Sequence, residues 1–422
     1  MIDEKLLINW RRIFHAIPEK GFTEYKTTSK IIEILRDIGY QVSYGENIIC
    51  AEERMGLPSA QEDKLAMDRA LKSGVRSSFL EKIKGGFTGA VATIENGPGP
   101  KIAFRFDIDC NEVQEEESTG HIPYDEKFSS KHPGLMHACG HDGHISIGLG
   151  LAKWLYENTN EWSGSIKLIF QPAEEGVKGA KSMVAAGILD DRDYFISGHI
   201  GIFSGEDTIY TNIGDFLSTS KFDVNFTGKS VHAGMSPHNG RNALLAASSS
   251  ALQLHAISRH GEGATRINVG RIEAGSGRNV IADKGKLVLE TRGETAELNE
   301  YMVNEMYRII EGIAKTYDVE YEFKNMGAAT KANSSEELSK IAEKVAEEEG
   351  FKNINNKAKS IGGSEDASFM MKRVEELGGK SLYMVFGTNL AAEHHNRSFD
   401  FDESILKKAV EIYAGITRKL SL

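Results

Sequence analysis

Apolar residues recur every three to four positions in five stretches of the chain, 3–17, 27–39, 336–349, 366–377 and 403–420. That spacing predicts amphipathic helices. Between them run short apolar segments: KIAFRFDID (101–109), SIKLIF (165–170), YFISGHIG (194–201) and SLYMVFGT (381–388). Strands that alternate with helices predict an α/β domain with a largely parallel sheet. Between 216 and 327 the rhythm changes. Strand FDVNFTG, helix 242–259, strands TRINVGRIEA and KGKLVLETRG, helix 296–316 and strand DVEYEFKNMG follow in turn. The order βαββαβ is the ferredoxin-like unit. It predicts a small domain, 216–327, inserted into a larger one made of 1–215 and 328–422. The polar segment 50–85, helical in its second half, reads as a further insertion before the strand TGAVATIE.

Composition narrows the function classes. With 422 residues the chain exceeds what one core usually holds, so two domains are expected. A net charge of −11 without any Lys/Arg run argues against a nucleic-acid surface. The N-terminus is charged throughout and lacks a signal-peptide pattern. No apolar run is long enough to span a membrane. Three widely spaced cysteines, Cys50, Cys110 and Cys139, predict reduced thiols and a cytoplasmic protein rather than a disulfide framework.

The chemistry lies in four clusters. MHACGHDGH (136–144) opens an apolar helix and packs three histidines, a cysteine and an aspartate into nine residues. FQPAEEG places Glu174 and Glu175 after one predicted strand. SGHIG places His199 at the end of another, and AAEHHN places His394 and His395 after a third. Sites in open α/β sheets form outside the carboxyl ends of the strands. Singly, each residue has an ordinary explanation: a satisfied histidine, a solvated glutamate pair, a small buried thiol. Together they point to metal ligation. A closed structural zinc site favours paired cysteines. One thiolate mixed with imidazoles and carboxylates suits a catalytic site for zinc, manganese or a similar ion. Of two adjacent glutamates, one can bind metal while its neighbour moves a proton, the logic of metal-assisted hydrolysis.

These motifs resemble the metal-dependent aminoacylase/amidohydrolase family of metallopeptidases, which includes hippurate hydrolases and indole-acetyl-amino-acid hydrolases. Matching segments span nearly the whole chain: RRIFHAIPEKGFTEYKT, RFDID, HACGHDGH, FQPAEEG, VHAGMSPHNGRNALLAA, NVIADKGKLVLETRG, GSEDAS and HHNRSFDFDE. The insertion at 50–85 and the wording TGHIPYDE…GLMHACGHDGH look closest to a subgroup of aminobenzoyl-glutamate hydrolases. The resemblance implies a catalytic domain of zinc-peptidase type, with the inserted domain serving as lid and dimer contact. It implies two divalent ions in each protomer (Mn2+ or Zn2+), held by Cys139, His141, Glu175, His199 and a histidine of the HHN pair. His395 is favoured over His394, because the family places the ligand directly before the Asn/Ser-type residue.

Glu174 is implied as general base, with Asp107 and Asp109 orienting ligands. His137, His144 and Asp142 read as supporting residues, with His144 a competing ligand. His232 of SVHAG would polarise the scissile carbonyl, often across a dimer; read from the sequence alone it is a turn histidine. Asn279 and Arg292 match positions that bind a substrate carboxylate, against a loop amide and a solvated strand arginine. Ser364 reads as a helix N-cap. The family often has Ala-Leu-Pro where this chain has Cys110-Asn111-Glu112, which changes the local substrate wall. The implied activity is hydrolysis of the amide bond of an N-acyl amino acid such as aminobenzoyl-glutamate, by a homodimer or together with a second related subunit. The rivals are a di- or carboxypeptidase using the same centre, and a non-catalytic binding protein of the same fold.

Overall fold

A computed structural model describes residues 2–421. The chain forms two compact units, one of Met1–Asp215, Ala332–Ile361 and Asp366–Leu422, the other of Phe216–Lys331 and Gly362–Glu365. The second unit thus runs to Lys331 rather than 327 and takes in four later residues.

Fourteen strands are described: β1 Gln41–Ser43, β2 Ala90–Asn96, β3 Lys101–Asp107, β4 Gly164–Gln171, β5 Tyr194–Ser204, β6 Thr208–Tyr210, β7 Ile213–Gly214, β8 Ser218–Thr227, β9 Thr265–Ala274, β10 Lys284–Gly293, β11 Glu320–Ala329, β12 Asn353–Asn355, β13 Lys359–Ser360 and β14 Lys380–Thr388. The larger unit carries an eight-stranded sheet in the order β1-β2-β4-β3-β5-β14-β6-β12. Its centre, β4-β3-β5-β14, is parallel throughout. Strands β2 and β6 join it antiparallel on either side. The central strands are the apolar runs of the sequence, as expected for strands covered on both faces.

Helix His141–Glu157 lies against β3, with helices Glu4–His15, Tyr25–Ile38 and Ile405–Ser421 packed around it. It is almost wholly buried. Gly148 allows this approach, since a Cβ there would lie 2.6 Å from the Phe106 ring and 2.8 Å from that of Phe170. Such helices hold their shape chiefly by burying apolar surface, at about 25 cal/mol per Å2. The polar insertion contributes helix Ala60–Lys72, opened by a Ser59–Glu62 capping box, and the short helix Ser77–Leu80. It buries Ala66, Ala70, Val75, Leu80 and Ile83 against Tyr25.

The second unit is the expected βαββαβ pattern. Its antiparallel sheet, β11-β8-β10-β9, packs helices Ala243–His255 and Ala296–Tyr317 over a core that includes Val224, Phe226, Leu287, Met302 and Ile310. No helix among the described residues is long and apolar enough to cross a membrane.

Candidate metal centre

The four clusters of the larger unit meet at one edge of its sheet. Asp107 ends β3 and Asp109 follows it; Glu174 and Glu175 follow β4; His199 stands in β5; His394 and His395 follow β14. Cys139 and His141 flank Gly140, whose φ of 84° turns the chain into helix His141–Glu157. His141 is the first residue of that helix rather than part of the turn before it.

Ligand atoms of Cys139, His141 and His199 lie within 4.8 Å of one another, as do those of Cys139, Glu175 and His395, and those of His141, Glu174 and Glu175. Cys139 Sγ is 3.4 Å from His199 Nε2, Glu175 Oε1 is 3.4 Å from His395 Nε2, and Glu174 Oε2 is 3.9 Å from His141 Nε2. His394 joins none of these groups. Its ring lies 4.9 Å from Phe399 and 5.4 Å from His199, and burial pulls its pKa down to about 4.

Hydrogen bonds decide which imidazole nitrogen each histidine offers. His141 Nδ1 faces the Asp109 carbonyl at 3.0 Å and must donate to it, so in the neutral ring the lone pair is on Nε2. That Nε2 is buried beside the thiol with no well-formed hydrogen bond. His199 Nδ1 likewise donates to the Ile200 carbonyl at 2.8 Å, which leaves Nε2 towards Cys139. His144 differs. Its Nε2 accepts from the Ile200 amide at 3.0 Å, so Nδ1 carries the proton and donates to Asp107 at 2.5 Å. Both nitrogens are occupied, and His144 cannot compete as a ligand in this arrangement.

Burial pushes the Cys139 thiol upward. Burial, then the neighbouring imidazoles, hold His199 below its ordinary value. A thiol and an imidazole kept neutral at close range, with further imidazoles and carboxylates beside them, bring soft and hard donors together. The set fits divalent metal: one sulfur, three nitrogens and carboxylate oxygens, with the second nitrogens of His141 and His199 fixed by backbone carbonyls.

Asp109 is central to the glutamates. Its Oδ1 accepts from the Glu174 amide at 3.1 Å and its Oδ2 from the Glu175 amide at 2.9 Å. Asp107 is held by Arg105 at 2.9 Å and by His144. Asp366 accepts from Arg105, Gln171 and the amides of Gly179 and Ala180. Arg105, Gln171 and Asp366 lie within motifs of the sequence (RFDID, FQPAEEG, GSEDAS), but no local pattern marks their role, because their partnership spans up to 261 residues. Ser364 is not an N-cap: its hydroxyl donates to the Leu217 carbonyl, and Asp366 stands at the start of helix Ala367–Glu376.

His232, Asn279 and Arg292 belong to the second unit. His232 is exposed, and its Nδ1 accepts from the amides of Gly234 and Met235 at 3.1 and 3.2 Å, the turn role read from sequence alone. Asn279 is exposed and bonds Ala233 through its backbone carbonyl. Arg292, on β10, pairs with Glu290 at 2.8 Å.

An α/β sheet that gathers thiol, imidazole and paired carboxylate donors at the ends of its parallel strands defines a metal-site hydrolase. The chain belongs to peptidase family M20/M25/M40, whose model matches residues 103–419. It is similar to a Haemophilus influenzae homolog of a p-aminobenzoyl-glutamate hydrolase subunit, 45% identical, with 99% of each chain covered. It is 46% identical to the indole-3-acetyl-aspartic acid hydrolase of Enterobacter agglomerans, covering 97% of this chain and 94% of that one. Among solved structures, the aminobenzoyl-glutamate utilization protein of Klebsiella pneumoniae superposes with a TM-score of 0.85 at 39% identity, over 99% and 98% of the two chains. A dinuclear metal binding peptidase of the M20 family from Bacillus subtilis superposes at 0.67 and 25% identity, over 99% and 98%. The chain is therefore a hydrolytic enzyme.

Proposed function

We propose that the protein hydrolyses the amide bond of an N-acyl amino acid, with an aromatic acyl group and an acidic amino acid as in aminobenzoyl-glutamate. The observation that carries the site assignment is the split of the two adjacent glutamates. One aspartate holds both amides, and both glutamates lie near His141, but only Glu175 also joins the group of Cys139 and His395; Glu174 stands 3.9 Å from His141 Nε2. The substrate class follows from the two relatives named above, both hydrolases of an aromatic acyl group joined to glutamate or aspartate.

In this reading Cys139, His141, Glu175, His199 and His395 hold two divalent ions, Mn2+ or Zn2+. When bound, the ions supply Lewis acidity to the attacking water and to the scissile carbonyl. Glu174 takes the proton from the water and delivers it to the leaving amine. Asp107 and Asp109 keep the ligands oriented. His232 donates to the carbonyl oxygen as its charge grows, and Asn279 and Arg292 receive the substrate carboxylate, for which an arginine fork is suited. The working form is a cytoplasmic homodimer. The other assembly pairs this chain with a second, related one, because relatives from Haemophilus influenzae and Escherichia coli carry names that designate one subunit of a hydrolase.

The test is amine release from aminobenzoyl-glutamate, indole-acetyl-aspartate and hippurate after loading with manganese or zinc. Glu174→Gln is expected to keep its metal and lose about 10²–10⁴ in turnover. Glu175→Gln is expected to weaken metal binding instead. The reverse pattern refutes the assignment, and a metal-loaded protein that cleaves none of these amides favours the binding-protein rival.

A further inference from the structure

The turn that carries both glutamates is held by a further carboxylate, one that lies outside the proposed ligand set. The amides of Ala173, Glu174 and Glu175 all end on buried carboxylates. Glu174 and Glu175 reach Asp109, and Ala173 reaches Glu24 Oε1 at 2.8 Å. The turn is strained. Ala173, Gly176 and Val177 have φ of 53°, 85° and 61°, a region that alanine and especially a β-branched residue avoid. Such a backbone persists only where its surroundings over-determine it.

Glu24 is built for this contact. It stands at the start of helix Tyr25–Ile38, where a side chain would ordinarily cap the helix, but it makes no cap bond. Glu19 serves the helix instead, its Oε2 accepting from the Thr27 amide at 2.7 Å. Glu24 is thereby released to turn inward, fully buried, with its other oxygen accepting from Thr88 Oγ1 at 2.6 Å. Gly21 passes beneath the same turn. A Cβ there would lie 2.9 Å from Ala173 Cα and 3.2 Å from Asp109 Oδ2. Burial and the Asp109 charge push the Glu24 carboxyl up to about 8, so glutamine is a close mimic of its neutral form.

We propose that Glu24 is a positioning residue of the metal centre: through the Ala173 amide it fixes the turn that aims Glu175 at the metals and Glu174 at the water. The proposal rests on the roles given above to Glu174 and Glu175. A merely structural Glu24 would tie helix Tyr25–Ile38 to the sheet and nothing more. The two roles differ in what their loss disturbs.

The experiment compares Glu24→Ala, Glu24→Asp, Glu24→Gln and Glu175→Gln. Metal affinity is measured on metal-free protein by competition with a chelator, alongside kcat, KM and amide exchange of 173–177. Glu24→Ala is expected to lose about 10–100-fold in metal affinity and a similar factor in kcat, with KM little changed. Exchange of the turn should rise while helix Tyr25–Ile38 stays protected. Glu24→Gln, whose amide oxygen can still accept from Ala173, should recover most of both. Should Glu24→Ala not fold, Glu24→Asp, one methylene too short for the same contact, should show the same pattern. Unchanged metal affinity and unchanged turn exchange in the folded variants overturn the proposal, as does exchange rising equally along the helix. Glu175→Gln separates the two readings. If it binds metal as the parent does, the ligand assignment fails. If it loses metal while Glu24→Ala does not, only the role of Glu24 fails.

Discussion

Replacing Arg11 by methionine should destabilise the larger unit by about 3 kcal/mol, and the structure shows where that figure comes from. Arg11 is fully buried and donates to Asp142 at 2.8 Å, Asp400 at 2.6 Å and Glu403 at 3.2 Å, with the Phe401 ring 4.5 Å from its guanidinium carbon. Breaking a buried ion pair from one side costs about 3–5 kcal/mol, because the remaining charge is left without compensation. Two of the three carboxylates keep a second partner: Asp142 retains His15 at 2.7 Å, and Glu403 retains Arg12 at 2.6 Å. Asp400 alone loses its close cation, which puts the cost at the lower end of the range. Unfolding entropy of about 2.1 cal/mol/K per residue converts this to a Tm lower by about 5 °C. Urea unfolding followed by the fluorescence of Trp10, Trp154 and Trp162, all in the larger unit, measures the loss. The double variant Arg11→Met, Asp400→Leu should regain most of it, since a buried pair replaced on both sides leaves no orphan charge. A loss under about 1 kcal/mol, or a double variant no better than the single, refutes the reasoning.

The same network carries a pH signature. His15 bridges Asp142 and Glu115, and these carboxylates raise its pKa against the opposing effects of burial and of Arg11. A raised histidine contributes stability that is full below its unfolded pKa of about 6.5 and is lost as pH climbs through the folded value. The stability gap between the parent and His15→Phe should therefore narrow above about pH 6.5. In the Arg11→Met background one opposing charge is gone, so the narrowing should shift to higher pH. Asp142 works in the other direction. Its carboxyl is held well below the usual range against burial, by Arg11 and His15, so its contribution is lost only on acidification below about pH 4.

Two further predictions concern the proposed site. His395→Ala should lose metal affinity as Cys139→Ala does, whereas His394→Ala should keep it; chelator competition on both distinguishes them, and loss in His394→Ala alone would reverse the choice. His232→Ala should keep both metals and lose about 10²–10³ in turnover; if the histidine acts across a dimer, mixing it with Glu174→Gln should restore part of the activity, and no recovery after demonstrated exchange of protomers excludes that version.

Long elements were legible in the sequence because each buries either one face, which shows as a period, or both, which shows as a continuous apolar run. Helix 3–17 is observed as Glu4–His15, strand 381–388 as Lys380–Thr388, and TRINVGRIEA and KGKLVLETRG as written. Strands β1, β6 and β12 were not, since three residues cannot display a period and only their sheet neighbours hold them. The metal-capable residues could be picked out from composition and strand ends. Their arrangement could not, because it depends on hydrogen bonds between distant segments: Arg11 meets Asp142 131 residues away, and Glu24 meets Ala173 149 residues away. His144 shows the difference most plainly. By residue type it is an equal of His141, and only the Ile200 amide on its Nε2 removes it from the ligand set.

The clusters share one edge for a topological reason. Only β4, β3, β5 and β14 run parallel as a contiguous block, so only their carboxyl ends open together at one edge. Antiparallel β2 and β6 flank the block and present their amino ends there, which closes the row on both sides. At about 4.8 Å between neighbours, four strands span about 14 Å. That is room for two ions about 3.5–4 Å apart with ligands on either side. The crossover from β3 to β4 adds the remaining donors, because helix His141–Glu157 starts at that edge and brings Cys139 and His141 with it. A donor after the carboxyl end of β2 or β6 would sit at the opposite edge. The metal-capable residues of the larger unit are therefore grouped by strand direction and by the helix that starts at the same edge, and Glu24 meets the β4 turn through the Ala173 amide.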